Sequence, residues 1–105
     1  MAECVVLASG SGTNFAAVAD ALSESRHSLL ALMTDNPSAY ALIRAEVRRV
    51  PTIVINYRAG RQEAEARLLR TLESHDPDLI VLAGFMKIFP GHLVDRFEGR
   101  IINIH

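Results

Sequence analysis

Short apolar runs, closed by glycine, proline, asparagine or aspartate, alternate along this chain with stretches whose apolar positions recur at helical spacing. The first run, Cys4-Val5-Val6-Leu7-Ala8, stops at Ser9-Gly10-Ser11-Gly12-Thr13-Asn14. An apolar run ended by glycines reads as a buried parallel strand, and Gly10 and Gly12 allow backbone conformations that residues with a Cβ avoid. Phe15, Val18, Ala19 and Leu22 then keep the i, i+3, i+4, i+7 rhythm of one helical face, predicting a helix over Phe15–Leu22. Ser28–Thr34 predicts a second strand, and Asp35-Asn36-Pro37-Ser38 a turn whose Ser38 is placed to cap a helix over Tyr40–Arg48. Thr52-Ile53-Val54-Ile55 is β-branched enough for a third strand, with Pro51 tolerable at its start.

Arg61–Ser74 carries Ala64, Leu68, Leu69 and Leu72 on one face and Glu63 four residues before Arg67 on another, which predicts the longest helix. Asp76-Pro77-Asp78 ends it. Leu79-Ile80-Val81-Leu82-Ala83 is the most continuous apolar run and reads as a central strand covered on both faces. His92–Phe97 predicts a short helix with Leu93, Val94 and Phe97 inward, and Ile101–Ile104 a fifth strand. The order βαβαβαβαβ implies an α/β, doubly wound, mostly parallel sheet with helices on both faces and right-handed crossovers. Ligands in such sheets bind outside the carboxyl ends of the strands. Here those ends are Ser9–Asn14, Thr34–Asn36, Asn56-Tyr57, Gly84–Phe89 and Asn103–His105.

Composition narrows the partners. The 105 residues are half apolar with a net charge of −1, which fits one compact domain or a piece of one. Interspersed charges predict neither a nucleic-acid face nor a membrane-surface helix, so the expected partner is a small molecule. The single cysteine, Cys4, lies in the first strand and reads as a buried thiol, weakly favouring a reducing compartment. No basic leader precedes the first strand and no apolar run is long enough to span a bilayer, so a cytoplasmic location is expected. The chain stops at Ile101-Ile102-Asn103-Ile104-His105, within a strand or its exit, and truncation after the fifth strand is the expectation.

The glycine loop delivers free backbone N–H groups at a helix N-terminus, where they and the helix dipole attract an anion, phosphate first. The same pattern also fits a plain strand-to-helix turn, and Asn14 also fits an N-cap. A dinucleotide fingerprint, with Asp35 after the second strand, matches incompletely: Phe15 stands where the third glycine of G-x-G-x-x-G permits close helix packing.

Val5–Asn14, the Val81-Leu82-Ala83-Gly84-Phe85-Met86-Lys87-Ile88 stretch and Gly99-Arg100-Ile101-Ile102-Asn103-Ile104-His105, in this order and spacing, closely resemble the phosphoribosylglycinamide formyltransferase family. The resemblance covers essentially all of these residues but only about the N-terminal half of a family chain, as the nucleotide-binding part of one formyltransferase domain. It implies formyl transfer from 10-formyltetrahydrofolate to the amine of glycinamide ribonucleotide in purine synthesis, without a metal. Gly12, Thr13 and Asn14 would hold the ribonucleotide phosphate. Met86, Lys87, Ile88 and Phe89 match the folate-contacting segment, and Arg61 aligns with an arginine near the folate. Lys87 commonly reads Arg there and Phe89 commonly Leu, and lysine lacks arginine's planar fork. The apolar members of that segment also fit a simple cover for the sheet, and Arg61 a solvated helix start.

Asn103 and His105 match the family's Asn-x-His and would be catalytic, with Asn103 also beside the folate. The family's following Pro-Ser-Leu-Leu-Pro and its later catalytic aspartate are not in the sequence, so these 105 residues alone are expected to be inactive or nearly so. His27, His75 and His92 read as ordinary surface residues. Two other readings stand beside the main one: a related enzyme that hydrolyses formyltetrahydrofolate or formylates methionyl-tRNA, and a non-catalytic nucleotide- or phosphate-binding domain. The latter needs the loop but not Asn103 and His105.

Overall fold

A computed structural model describes residues 1–104, and His105 lies outside the described residues. The elements follow as β1 (Glu3–Leu7), α1 (Thr13–Ser23), β2 (Ser28–Thr34), α2 (Tyr40–Val47), β3 (Thr52–Val54), α3 (Arg61–His75), β4 (Leu79–Ala83), α4 (Gly91–Arg96) and β5 (Ile101–Ile104). All five strands are parallel in the order β3-β2-β1-β4-β5. The α/β fold, the doubly wound sheet and every element expected from the apolar pattern are therefore present, with ends differing by a residue or two.

The chain winds outward from β1 to β3 and then returns across the sheet to β4 on the other side of β1. Val5 and Leu7 point into one core with Leu68 and Leu72 of α3 and Leu93 beside Phe97 at α4. Val6 and Ala8 point into the other, with Phe15 and Ala19 of α1 and Ala41 and Ala45 of α2. The alternation of the pleat thus serves two helical layers from one strand. Phe15, whose bulk argued against a dinucleotide loop, is fully buried in the second core. The crossover leaves a crevice between the carboxyl ends of β1 and β4, the switch point at which such sheets hold ligands.

Several local expectations are corrected. β4 is an interior strand covered on both faces as expected, with Ile80 in one core and Val81 and Ala83 in the other, but β1 is enclosed more fully: Cys4 through Ala8 are all buried, whereas Leu79 and Leu82 are half-buried. The cover beyond β4 is thin, because α4 has six residues and β5 is an edge. Val94 is exposed rather than inward, since α4 is too short to turn a third apolar residue toward the sheet. Ser38 does not cap α2, whose N-cap is Ala39; instead the Ser38 N–H donates to Asn36 Oδ1 at 2.9 Å, so the asparagine shapes the turn. Asn14 is not an N-cap either, because Gly12 holds that position. Burial, and secondarily the charge of Asp78, raises the Cys4 thiol pKa, consistent with an inert core residue.

Only one of the two loop glycines needs its missing Cβ. Gly12 has φ 79°, and a Cβ there would lie 2.7 Å from both Cα and Cβ of Ala41. α2 comes this close because the Ala41 N–H donates to Gly10 O at 3.1 Å and Arg44 Nε to Ser11 O at 2.8 Å. Gly10 has nothing within 4 Å of such a Cβ and no positive φ. Gly12→Ala is therefore expected to destabilise the fold by about 2–3 kcal/mol, from overpacking together with left-handed strain. Gly10→Ala should be close to neutral. Urea unfolding of both variants checks this, and equal midpoints would contradict the assigned contact.

Candidate functional site at the carboxyl ends of the strands

The loop after β1 meets α1 with its amides in place for an anion. The first bond of the helical ladder runs from the Ala16 N–H to Gly12 O at 2.8 Å, so the N–H groups of Thr13, Asn14 and Phe15 precede it. Among the described residues no side chain caps this end and no acidic residue occupies the first turn, which leaves the positive end of the dipole available. Ser11 and Thr13 add exposed hydroxyls 3.1 Å apart. The anchors from Ala41 and Arg44 hold the loop from the α2 side. Gly12 shapes the loop by packing against α2.

Ser9 closes the crevice from below. It is buried and polar, and each of its polar atoms is engaged. Its N–H donates to Gly84 O at 3.3 Å, and its carbonyl accepts from Asn36 Nδ2 at 3.4 Å. Its hydroxyl donates to Asp35 Oδ1 and accepts the Met86 N–H at 2.7 Å. The exits of β1, β2 and β4 are thereby joined at one side chain.

Two adjoining hollows lie above this knot. The larger, about 700 Å³, is bounded by Asp35–Ser38 after β2, Asn56–Arg58 after β3, and Ser9, Met86 and Lys87. The smaller, about 350 Å³, is lined by Tyr57, Arg61, Met86, Lys87 and Ile88. Met86 and Ile88 are 78% and 72% exposed, too open to be cover for the sheet. The sequence-level alternative of a simple apolar lid thus fails for these two. Arg61 faces the same hollow while its Nε donates to Glu65 Oε2 at 2.8 Å. Its side chain is 64% exposed, so this i,i+4 pair contributes little to stability.

Other expected site residues sit apart. Phe89 is partly buried against the core below α4 and lines neither hollow. Asn103 is exposed in β5, in register with Leu82 of β4, and also lines neither. His105, named with it, lies outside the described residues. Ser9, Asp35 and Tyr57 lie at the strand ends expected to hold a ligand, but their individual contacts were not expected from the residue pattern. Ser9 and Asp35 are joined across 26 residues and Ser9 and Met86 across 77, and no sequence spacing encodes such pairings.

Tyr57 stands between the hollows, with Lys87 Nζ 5.1 Å from its ring centre. Its hydroxyl is buried and finds no hydrogen-bond partner among the described residues. Burial first, then the negative charges of Glu65 and Asp35, raise its pKa above the ordinary phenol value.

A doubly wound parallel sheet with a glycine loop after β1 and an apolar-rimmed hollow beside it defines an α/β protein whose candidate site lies at the switch point of the sheet. Residues 2–105 match the formyl transferase family. Phosphoribosylglycinamide formyltransferase of Bacillus subtilis is 34% identical over 109 residues, which cover 100% of this chain and 56% of that protein. The trifunctional purine biosynthetic protein adenosine-3 of Drosophila melanogaster is 36% identical over 95% of this chain and 8% of its own length. The crystal structure of phosphoribosylglycinamide formyltransferase from Brucella melitensis superposes with a TM-score of 0.94 at 31% identity, over 99% of this chain and 56% of that one. The chain belongs to the formyl transferase family, and it spans about half the length of the bacterial relatives it matches.

The raised Tyr57 pKa has a measurable consequence. In an ultraviolet titration Tyr57 should ionise above the ordinary phenol value of about 10, and Tyr57→Phe should abolish that late component. Since the folded pKa exceeds the unfolded one, the phenol's contribution to stability is complete below the unfolded value and disappears as pH rises through the folded value. Absence of a late component that Tyr57→Phe removes would contradict this environment.

Proposed function

We propose that this chain carries the nucleotide- and folate-facing part of a phosphoribosylglycinamide formyltransferase. The reaction moves a formyl group from 10-formyltetrahydrofolate to the amine of glycinamide ribonucleotide, a step of purine synthesis. The observation that carries the reading is the adjacency, at one switch point, of an anion-ready helix start and the exposed Met86–Ile88 segment. Homologues named for this activity support it. The ribonucleotide phosphate binds the amides of Gly12, Thr13 and Asn14, where the helix dipole favours its charge. The folate lies along Met86, Lys87, Ile88 and Phe89. The Met86 amide is already engaged by Ser9, so those of Lys87, Ile88 and Phe89 serve the polar edge of the heterocycle. Arg61 supplies positive charge at the rim of the same hollow.

Chemistry follows from the attack of the substrate amine on the formyl carbon. A C–N bond forms, the carbonyl electrons move to oxygen, and a tetrahedral oxyanion results. Asn103 directs an amide N–H at that oxygen, and His105 donates a second hydrogen bond when protonated. His105 also passes the proton released by the amine to the folate nitrogen, which leaves as the intermediate collapses. No step in this sequence calls for a metal. The partners are then two small molecules, and the place of work is the cytoplasm.

Assayed on the protein as its cell makes it, the two substrates should yield formylglycinamide ribonucleotide and tetrahydrofolate. Asn103→Ala should lower turnover by ~10²–10³ with both affinities nearly kept, as loss of an oxyanion donor does. Absence of transfer by the wild type, or undiminished turnover in the variant, would sink the proposal. Ile88→Asp provides a separate check: calorimetry should show weakened folate binding with nucleotide binding retained. Equal loss of both would mark Ile88 as a folding residue.

A further inference from the structure

Met86–Phe89 has no regular secondary structure, and one hydrogen bond ties it down. Among the described residues, the Met86 N–H donating to Ser9 Oγ at 2.7 Å is the only hydrogen bond made by residues 85–89. Phe85 and Phe89 add apolar contacts with the core at either end, while Met86, Lys87 and Ile88 between them are exposed. A segment so lightly held keeps one geometry only if its single polar anchor is itself fixed.

The anchor is fixed. Ser9 follows the most enclosed strand of the sheet, its backbone is bonded to Gly84 and Asn36, and its hydroxyl proton is directed to Asp35 Oδ1. A hydroxyl can donate once and accept through its lone pairs. With the proton held by Asp35, a lone pair faces the Met86 amide across the switch point.

We propose that Ser9, oriented by Asp35, is a positioning residue that sets the geometry of the Met86–Phe89 segment and through it the placement of the folate. The folate part rests on the functional reading above; the anchoring itself does not. The phosphate loop is independent of this bond, because Ala41 and Arg44 hold it from α2. The effect of losing the hydroxyl should therefore be confined to one of the two loops.

Amide hydrogen exchange followed by NMR reads this directly. In Ser9→Ala the Met86 amide should exchange about five- to tenfold faster, the loss of one net hydrogen bond, while amides on β1 and in the Thr13–Phe15 turn stay within twofold. Ser9→Thr should restore the slow rate by returning the hydroxyl. Calorimetry with 5-formyltetrahydrofolate as probe should show about fivefold weaker binding in Ser9→Ala and recovery in Ser9→Thr. Asp35→Asn, which keeps an acceptor, should behave like wild type. Asp35→Ala should speed Met86 exchange by a smaller factor, and it decides the matter should Ser9→Ala fail to fold. Unchanged Met86 exchange, or equal loosening of both loops, would overturn the inference. A wild type without affinity for the probe would overturn the functional reading alone, since the exchange rates still decide what Ser9 does.

Discussion

Enclosure of β1 on both faces is the constraint on which the rest of the molecule depends. Val5, Val6 and Leu7 are fully removed from solvent, and each such side chain contributes about 1.5–3 kcal/mol of transfer free energy. Because neighbours pack on every side, the strand has little freedom to shift, and the residues just after it inherit its position. Ser9 is one residue beyond the buried Ala8, so its hydroxyl, the glycine loop and the start of α1 are all located by the same burial. The crossover from β3 to β4 then brings the Met86 segment to the other side of that end.

The two helical layers differ, and the difference suits the ends they support. Against α1 and α2 the core is rich in alanine, with Ala19, Ala39, Ala41 and Ala45 beside a single large ring, Phe15. Small side chains let α2 approach closely enough for the Ala41 backbone to bond Gly10, and that approach leaves no room for a Cβ at Gly12. Against α3 and α4 the helices contribute larger side chains, Leu68, Leu72, Leu93 and Phe97, to the core. The glycine-loop side of the site is consequently clamped by contacts from α2. The Met86 side is held by a single hydroxyl and two flanking aromatic rings.

That asymmetry matches the chemistry of the two ligands proposed above. A phosphate is small, charged and recognised by directed N–H groups, so its cradle gains from rigidity. A flat heteroaromatic ring needs an apolar wall with a few fixed polar groups. The openness of Met86 and Ile88 and the buried hydroxyl of Tyr57, unpartnered among the described residues, both lie on that second side.

The sequence by itself determined the element order, the α/β class and the five strand ends at which a site could form. These follow from periodicity, and a period is a local property that survives without neighbours. The motifs Gly10–Asn14, Met86–Phe89 and Asn103–His105 were likewise readable, because each is contiguous along the chain. What only the tertiary structure decided are matters of distance between remote residues: that Gly12 is required by Ala41, that Ala39 and Gly12 rather than Ser38 and Asn14 begin their helices, that Phe89 turns to the core while Arg61 and Tyr57 join Met86, and that one hydroxyl bridges β1 and β4. Each depends on how closely two separately specified elements approach, and that is set by the volumes packed between them.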